Sequence, residues 1–536
     1  MLTKITDSLS DWADRAGSDI QTYLKEHTEL ILALAVTAVA AYGFELFSLN
    51  ITIDEEIFAT YSEPVFAWLI QGRWGMYLLN RFLFPYTVLP FVPLFVALVF
   101  HMAAMLLLLE VWEVKSTPAQ IIVGAIGLTF PTLAYMYTFS TLNFGIGIGF
   151  FSAALSLYLY ARAPGIYKYL AVLPIAFSIA IYQGFIPVLV SIFLAYLLAK
   201  WIRTGQVELK IILPIALIHL LGFALYFLLQ RWVTIIGDVR ASTYIAGLFS
   251  SRFLLENFGI VAGRIGSLLA RVYFGDKSIH SIEIPTLGLL MVIAAIGLFL
   301  NLLRSQLLPL NKILIALLAF VLLLVPFVGG FFMYGSMSMR FLIALPVTVA
   351  AFLMLGIGDN PRIIRFLIVL LAGFCIFKFT VAANHLFAAS QLALEADRAT
   401  ASRLILRFED ALSESESMEK LKYMEVVGYL ERPPTELIPK AETFGASFFQ
   451  IDQGSSMRLG YFLQTLGFPE LEPLPLERRA QMIETANAMP AWPEKGSIAI
   501  VGDILLIKFG PYSDTQRLAI CAMQGQPQAL VQDFCE

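Results

Sequence analysis

The sequence predicts a mainly α fold: a polytopic bundle of about eleven membrane-spanning helices with a small α/β domain at its C-terminal end. Three observations predict it: too few charges to coat a soluble globule, apolar runs of bilayer length, and a return of polarity after His385. Of 536 residues, 58% are hydrophobic and 14% charged, and the mean hydropathy is +0.76. A soluble domain carries about 25% charged residues. Residues 211–229 are interrupted only mildly by His219 and Tyr226, and 313–333 hold no charge. Each run approaches the roughly 20 residues that cross a bilayer core. A helix is required there because lipid offers exposed backbone groups no partner.

Residues 1–28 are polar and mixed in charge, which reads as a cytoplasmic amphipathic segment and not as a secretory signal. Hydropathy then places spans near 29–48, 87–111, 118–138, 143–161, 168–183, 186–201, 210–234, 285–303, 312–333, 340–357 and 363–382. The fifth and sixth form one long run broken around Tyr182-Gln183-Gly184, open to reading as two spans or as one kinked element. Lys115, Arg162, Lys168, Lys200, Arg203, Lys210, Arg304, Lys312, Arg362 and Arg365 all fall in short loops on one side. The positive-inside rule makes that side cytoplasmic, and an odd span count puts the N-terminus inside and the C-terminal domain outside.

Two outer loops, 49–86 and 234–284, exceed a turn. Residues 64–84 set Gln71, Arg73, Asn80 and Arg81 among apolar side chains, and 249–273 carry polar residues mostly at helical spacing, the pattern of helices lying in the interface plane. The spanning region therefore reads as 29–384 and the C-terminal α/β domain as 385–536. Within the latter, a charged helix over 386–412 precedes a Ser/Glu-rich break. Strand-like runs at 424–429, 498–501 and 504–509 follow, with helical patterns at 456–466 and 476–488. Of the three cysteines, Cys375 sits in an apolar run, and Cys521 and Cys535 either pair or remain as thiols.

A net charge of -4 and a pI of about 5.9 leave no electrostatic footprint for nucleic acid. There is no P-loop, dinucleotide fingerprint, nucleophile elbow or histidine cluster. The five histidines are scattered, and Asp54 with Glu55 lacks a third metal ligand, so neither a metal nor a cofactor is expected. What stands out is Asp54-Glu55-Glu56 directly after the first span. Three adjacent carboxylates repel, which raises at least one pKa toward the working range of a general base. The competing reading is a solvated acidic lip. Arg73, in Gly72-Arg73-Trp74, and Arg340, opening a late span, suit phosphate because the guanidinium fork binds it bidentately. Either arginine also fits simple snorkelling at the membrane edge. Lys277 and His280 are weaker candidates for the same role. Tyr182 and Gln183 offer a phenol and an amide to sugar hydroxyls, or to backbone groups freed by the helix break.

Taken in order, Ile53-Asp54-Glu55, Gly72-Arg73-Trp74, Tyr182-Gln183, Met339-Arg340-Phe341, Asn384 and Asp397-Arg398 resemble one known family. Ser447-Phe448-Phe449, Arg458 and Met489-Pro490-Ala491-Trp492-Pro493 in the tail complete the resemblance. The family is that of the serotype-converting glucosyltransferases of bacteria and their phages, glucosyl transferase type II, which act on the O-antigen of lipopolysaccharide. The resemblance implies a GT-C architecture in the bacterial inner membrane with the active site at its periplasmic mouth. The donor would be a polyprenyl-phosphate hexose, typically undecaprenyl-phosphate glucose, with a functional link to a flippase and a polyprenyl-phosphate glucosyl synthase. An acidic residue of the first outer loop would act as base, carried here onto Asp54 and Glu55. Arg73 and Arg340 would bind phosphate or shape the site. Glu56 departs from the family's two-acid pattern and leaves open which carboxylate is the base.

A transporter or flippase of a lipid-linked sugar is the main rival. Its charges would lie near the midplane of repeated halves, whereas these acids lie at a membrane edge and no repeat is visible. A non-catalytic envelope scaffold is the second rival.

Overall fold

In the computed structural model the described residues are 18, 21–22, 25–60, 66–84, 88–238, 256–333, 335, 337–413, 420–439 and 441–522. Most of the expected N-terminal amphipathic segment, part of each long loop, the Ser/Glu-rich break and Cys535 lie outside them. The chain divides into two compact units, Met1–Leu49 with Val65–His385, and Asn50–Pro64 with Leu386–Glu536. The segment that carries the three adjacent acids thus belongs to the second unit.

The first unit is helical. Among the described residues, nine helices are long and apolar enough to cross a membrane, from Thr28–Phe47 to Arg362–Leu412. Two shorter apolar helices, Gly165–Ile181 and Leu345–Ile357, coincide with the fifth and tenth predicted spans. Leu345–Ile357 has only 13 residues, about 20 Å of helix, yet all of them are buried. Its neighbours cover it, so its short backbone meets protein instead of lipid.

The break after the fifth helix separates two helices. Val172–Ile181 stops where Tyr182 turns extended, and Phe185–Thr204 begins after Gly184. Small residues bring other helices close. A Cβ on Gly147 would sit 2.2 Å from the Ala97 carbonyl oxygen, so Asn143–Arg162 and Val92–Val111 touch backbone to backbone. Polar ties reinforce this packing: the Asn384 amide donates to the carbonyls of Ala40 and Thr380, each at 2.9 Å.

The second unit holds a four-stranded sheet in the order β2-β1-β4-β3, with β1 Tyr423–Val427, β2 Glu472–Pro473, β3 Ile498–Val501 and β4 Ile504–Lys508. β1 runs parallel to both β2 and β4, while β3 and β4 form an antiparallel hairpin. Gly502, at φ 61°, begins the two-residue hairpin turn Gly502-Asp503, where a positive φ matches the strand twist. Three strands fall on the predicted runs. β2 has two residues, one a proline, and offers no alternation to read. Ile53 enters this unit's core beside Leu394, Phe448 and Phe462, which anchors the acidic segment.

Two buried carboxylates brace the unit. Asp397 accepts from the Ser447 hydroxyl and the Phe448 N–H, each at 2.7 Å, and pairs with Arg432 at 2.9 Å. Glu425 accepts from Ser456 and pairs with Arg479, while burial pushes its carboxyl up to about 7. Arg407 lies over the Trp492 ring at 4.7 Å. Several spaced sequence landmarks are therefore contacts of one small domain.

Candidate functional site

The acidic segment begins with a turn that drives neighbouring acids apart. Asp54 has φ 85°, a conformation uncommon outside glycine, and the short helix Glu55–Thr60 follows it. The Glu55 side chain folds back to accept from the Thr52 N–H and hydroxyl, each at 3.1 Å. These bonds close the turn that precedes the helix, and they leave Glu55 fully buried.

Asp54 and Glu56 meet on Arg458. This arginine lies in the helix Ser456–Gln464, whose N-cap Ser455 accepts from the Arg458 N–H. Its guanidinium donates to Asp54 Oδ1 at 2.8 Å, Glu56 Oε1 at 2.7 Å and Asp452 Oδ2 at 2.6 Å. Three carboxylates thus share one cation. Glu56 is fully buried, whereas the Asp54 side chain is 42% exposed. Burial pushes the Glu56 carboxyl up to about 7; Arg458 pulls against the rise and the Asp54 charge adds to it. Its second oxygen, Oε2, is buried without a hydrogen-bond partner among the described residues. The Arg458 guanidinium is held firmly protonated, because its carboxylate neighbours outweigh the burial that opposes its charge.

A second constellation lies within the helical unit. Arg73 stands at the N-terminal edge of the helix Trp74–Phe82. Its guanidinium carbon lies 4.8 Å from the Tyr182 ring centre and 5.6 Å from that of Trp68. Gln183 donates to the Gln71 carbonyl at 2.9 Å and to the Tyr226 hydroxyl at 3.2 Å. Its amide oxygen is 3.5 Å from Arg73 Nε, a long contact. Tyr226 in turn donates to the Gly72 carbonyl. The Tyr182 hydroxyl reaches the Arg340 carbonyl at 3.4 Å, and its ring stacks on Phe341.

Three separated motifs, Gly72-Arg73-Trp74, Tyr182-Gln183 and Met339-Arg340-Phe341, therefore converge within one unit. Gly75 permits the approach, since a Cβ there would lie 2.9 Å from the Ala180 carbonyl carbon. Trp68 and Tyr226 escaped the sequence reading because aromatic residues in apolar segments look like packing. The role of Arg458 escaped it because more than four hundred residues separate it from its partner acids.

The segment around Lys277 and His280 contributes differently. Lys277 is exposed in a single helical turn capped by Asp276. His280 is fully buried, bonded through Nε2 to the Val272 carbonyl and set against Phe130 and Phe379. Burial pushes its pKa down to about 4. A neutral, buried imidazole is a poor phosphate ligand, so His280 reads as packing. Among the described residues, no three His, Cys, Asp or Glu side chains are arranged to hold a metal ion.

The family model of glucosyl transferase GtrII matches residues 43–357. The chain belongs to that family. The GtrII match includes Asp54, Glu55, Glu56, Arg73, Tyr182, Gln183 and Arg340, and it ends before Arg458. GtrII membership makes the chain a glycosyltransferase, and its apolar helices make it a membrane protein. No curated protein shows a significant match to the chain.

Proposed function

We propose that the chain transfers a hexose, glucose by family analogy, from a polyprenyl-phosphate carrier to O-antigen or a related surface glycan. In this reading the reaction takes place at the periplasmic face of a bacterial inner membrane on a GT-C scaffold, with the N-terminus cytoplasmic and the C-terminal domain periplasmic. The observation that carries it is the Asp54–Arg458–Glu56 constellation. Arg458 holds two first-loop carboxylates in fixed positions, one accessible and one buried.

An Asp54 oxygen takes the proton of the acceptor hydroxyl as that oxygen attacks the anomeric carbon. The bond to the carrier phosphate breaks, and polyprenyl phosphate leaves with the electron pair. Arg73 and Arg340 bind that phosphate in this reading, and Tyr182 and Gln183 hold them in place or contact the sugar. Preorganised cations aimed at a developing charge contribute several kcal/mol in a water-poor cleft.

The test supplies purified full-length protein with undecaprenyl-phosphate glucose and O-antigen acceptor. Asp54→Asn is expected to lower transfer by about 10²–10⁴-fold, the usual worth of a general base, while donor binding persists. Full transfer by that variant overturns the assignment. A transporter of the lipid-linked sugar would move the donor across vesicles and form no new glycosidic bond.

A further inference from the structure

A recess of about 360 Å³ opens at the opposite ends of the spanning helices from Tyr182, among the short basic loops. Four segments line it: the turn after Val92–Val111, the end of Phe185–Thr204, the end of Pro285–Arg304, and the passage from Leu345–Ile357 into the last long helix. Its floor is apolar, with Trp112, Ala119, Met354 and Leu355. Its rim carries Lys115, Arg203, Arg304 and Arg365 against only Glu113 and Asp359. Arg203 is committed, bonding the Trp112 carbonyl at 3.2 Å and Glu113 at 2.9 Å. Lys115, Arg304 and Arg365 enter no ion pair among the described residues.

The positive-inside bias explains basic loops in general. It does not explain why three uncommitted cations from three segments surround one apolar-floored cavity. An apolar floor beneath a cationic rim, at the level where spanning helices end, matches an amphiphile whose polar end is anionic. Two guanidiniums and an ammonium suit the oxygens of a phosphate ester. We propose that this recess binds the phosphate of an anionic membrane lipid headgroup in the leaflet facing the basic loops. The site is independent of the sugar-transfer reading, because none of its lining residues belongs to either constellation described above.

The full-length protein is placed in nanodiscs of phosphatidylcholine with a minor fraction of phosphatidylglycerol, then stripped stepwise, and the retained lipid is counted by native mass spectrometry. Wild type is expected to retain phosphatidylglycerol over phosphatidylcholine. The double variant Arg304→Gln/Arg365→Gln should lose that preference by about tenfold or more, since about tenfold corresponds to a single lost charge-assisted phosphate contact. Lys115→Gln, a single exposed change, serves as a second variant should the double variant fold poorly. Lys200→Gln, which removes a basic charge outside the recess, should leave retention unchanged. Equal retention in wild type and both recess variants, or no preference over phosphatidylcholine, overturns the proposal. Stabilisation by inorganic phosphate that the same variants abolish, with no lipid retained, would assign the recess to a soluble phosphate and overturn the lipid source.

Discussion

Glu56→Gln should stabilise the protein at neutral and alkaline pH but not at acid pH. Holding this carboxyl at about 7 against its ordinary 4.5 costs the ionised form about 3 kcal/mol, at roughly 1.36 kcal/mol per pH unit. The side chain is fully buried, so solvent screening removes little of that cost. Because the folded pKa is raised, the folded state binds more protons than the unfolded one. Stability therefore falls as pH rises from about 4.5 through 7 and levels off above. A glutamine keeps the shape and never ionises, so it escapes this fall, while Arg458 retains Asp54 and Asp452. The expected gain is near zero at pH 4 and up to about 3 kcal/mol at pH 8. Hydrogen exchange of a peptide covering 50–60 reads it directly: the ratio of variant to wild-type protection, taken at one pH, cancels the intrinsic rate. Protection should match at pH 4 and rise as much as about 100-fold at pH 8, since about 1.4 kcal/mol is tenfold. A variant less protected at pH 8, or a ratio that does not change with pH, would refute the reasoning.

Other outcomes follow from the same geometry. Arg73→Lys exchanges a planar fork lying against Tyr182 and Trp68 for a point charge, and should raise KM for the polyprenyl-phosphate donor by about tenfold with the fold intact; an unchanged KM removes Arg73 from donor binding. Gly75→Ala forces a methyl against the Ala180 backbone and should cost about 1–3 kcal/mol, measured as a lower unfolding temperature in micelles at fixed scan rate. Asn384→Leu removes the donor shared by Ala40 and Thr380, and should cost about 0.6–2 kcal/mol by the same measurement.

Much of the helical architecture is legible because a spanning helix announces itself in a single property, the length of an apolar run. Hydropathy locates the helices near 29–48 and 285–303 to within a few residues of Thr28–Phe47 and Pro285–Arg304. It also locates Leu345–Ile357, whose short length it cannot foresee, because shielding by neighbours is a tertiary fact. The run over 168–201 stays ambiguous in the sequence, and the extended backbone of Tyr182 resolves it into two helices. The candidate site divides in the same way. Carboxylates and arginines are visible as residue types, so Asp54, Arg73 and Arg340 stand out. Their partners do not, because Arg458 reaches Asp54 and Tyr182 reaches Arg73 from distant segments, and no local pattern encodes that pairing. His280 shows the converse: an ionisable side chain between spans suggests solvent and charge, yet it is enclosed by Phe130 and Phe379.

Glu55 bears on how any mutational survey of this enzyme is to be interpreted. Its carboxylate is spent on the Thr52 amide and hydroxyl, so removing it unravels the peg on which its two neighbours hang. Loss of activity at that position would report a collapsed scaffold, while loss at the preceding aspartate would, under the proposed mechanism, report missing chemistry. Expression level and donor affinity, measured beside turnover, separate these two kinds of silence.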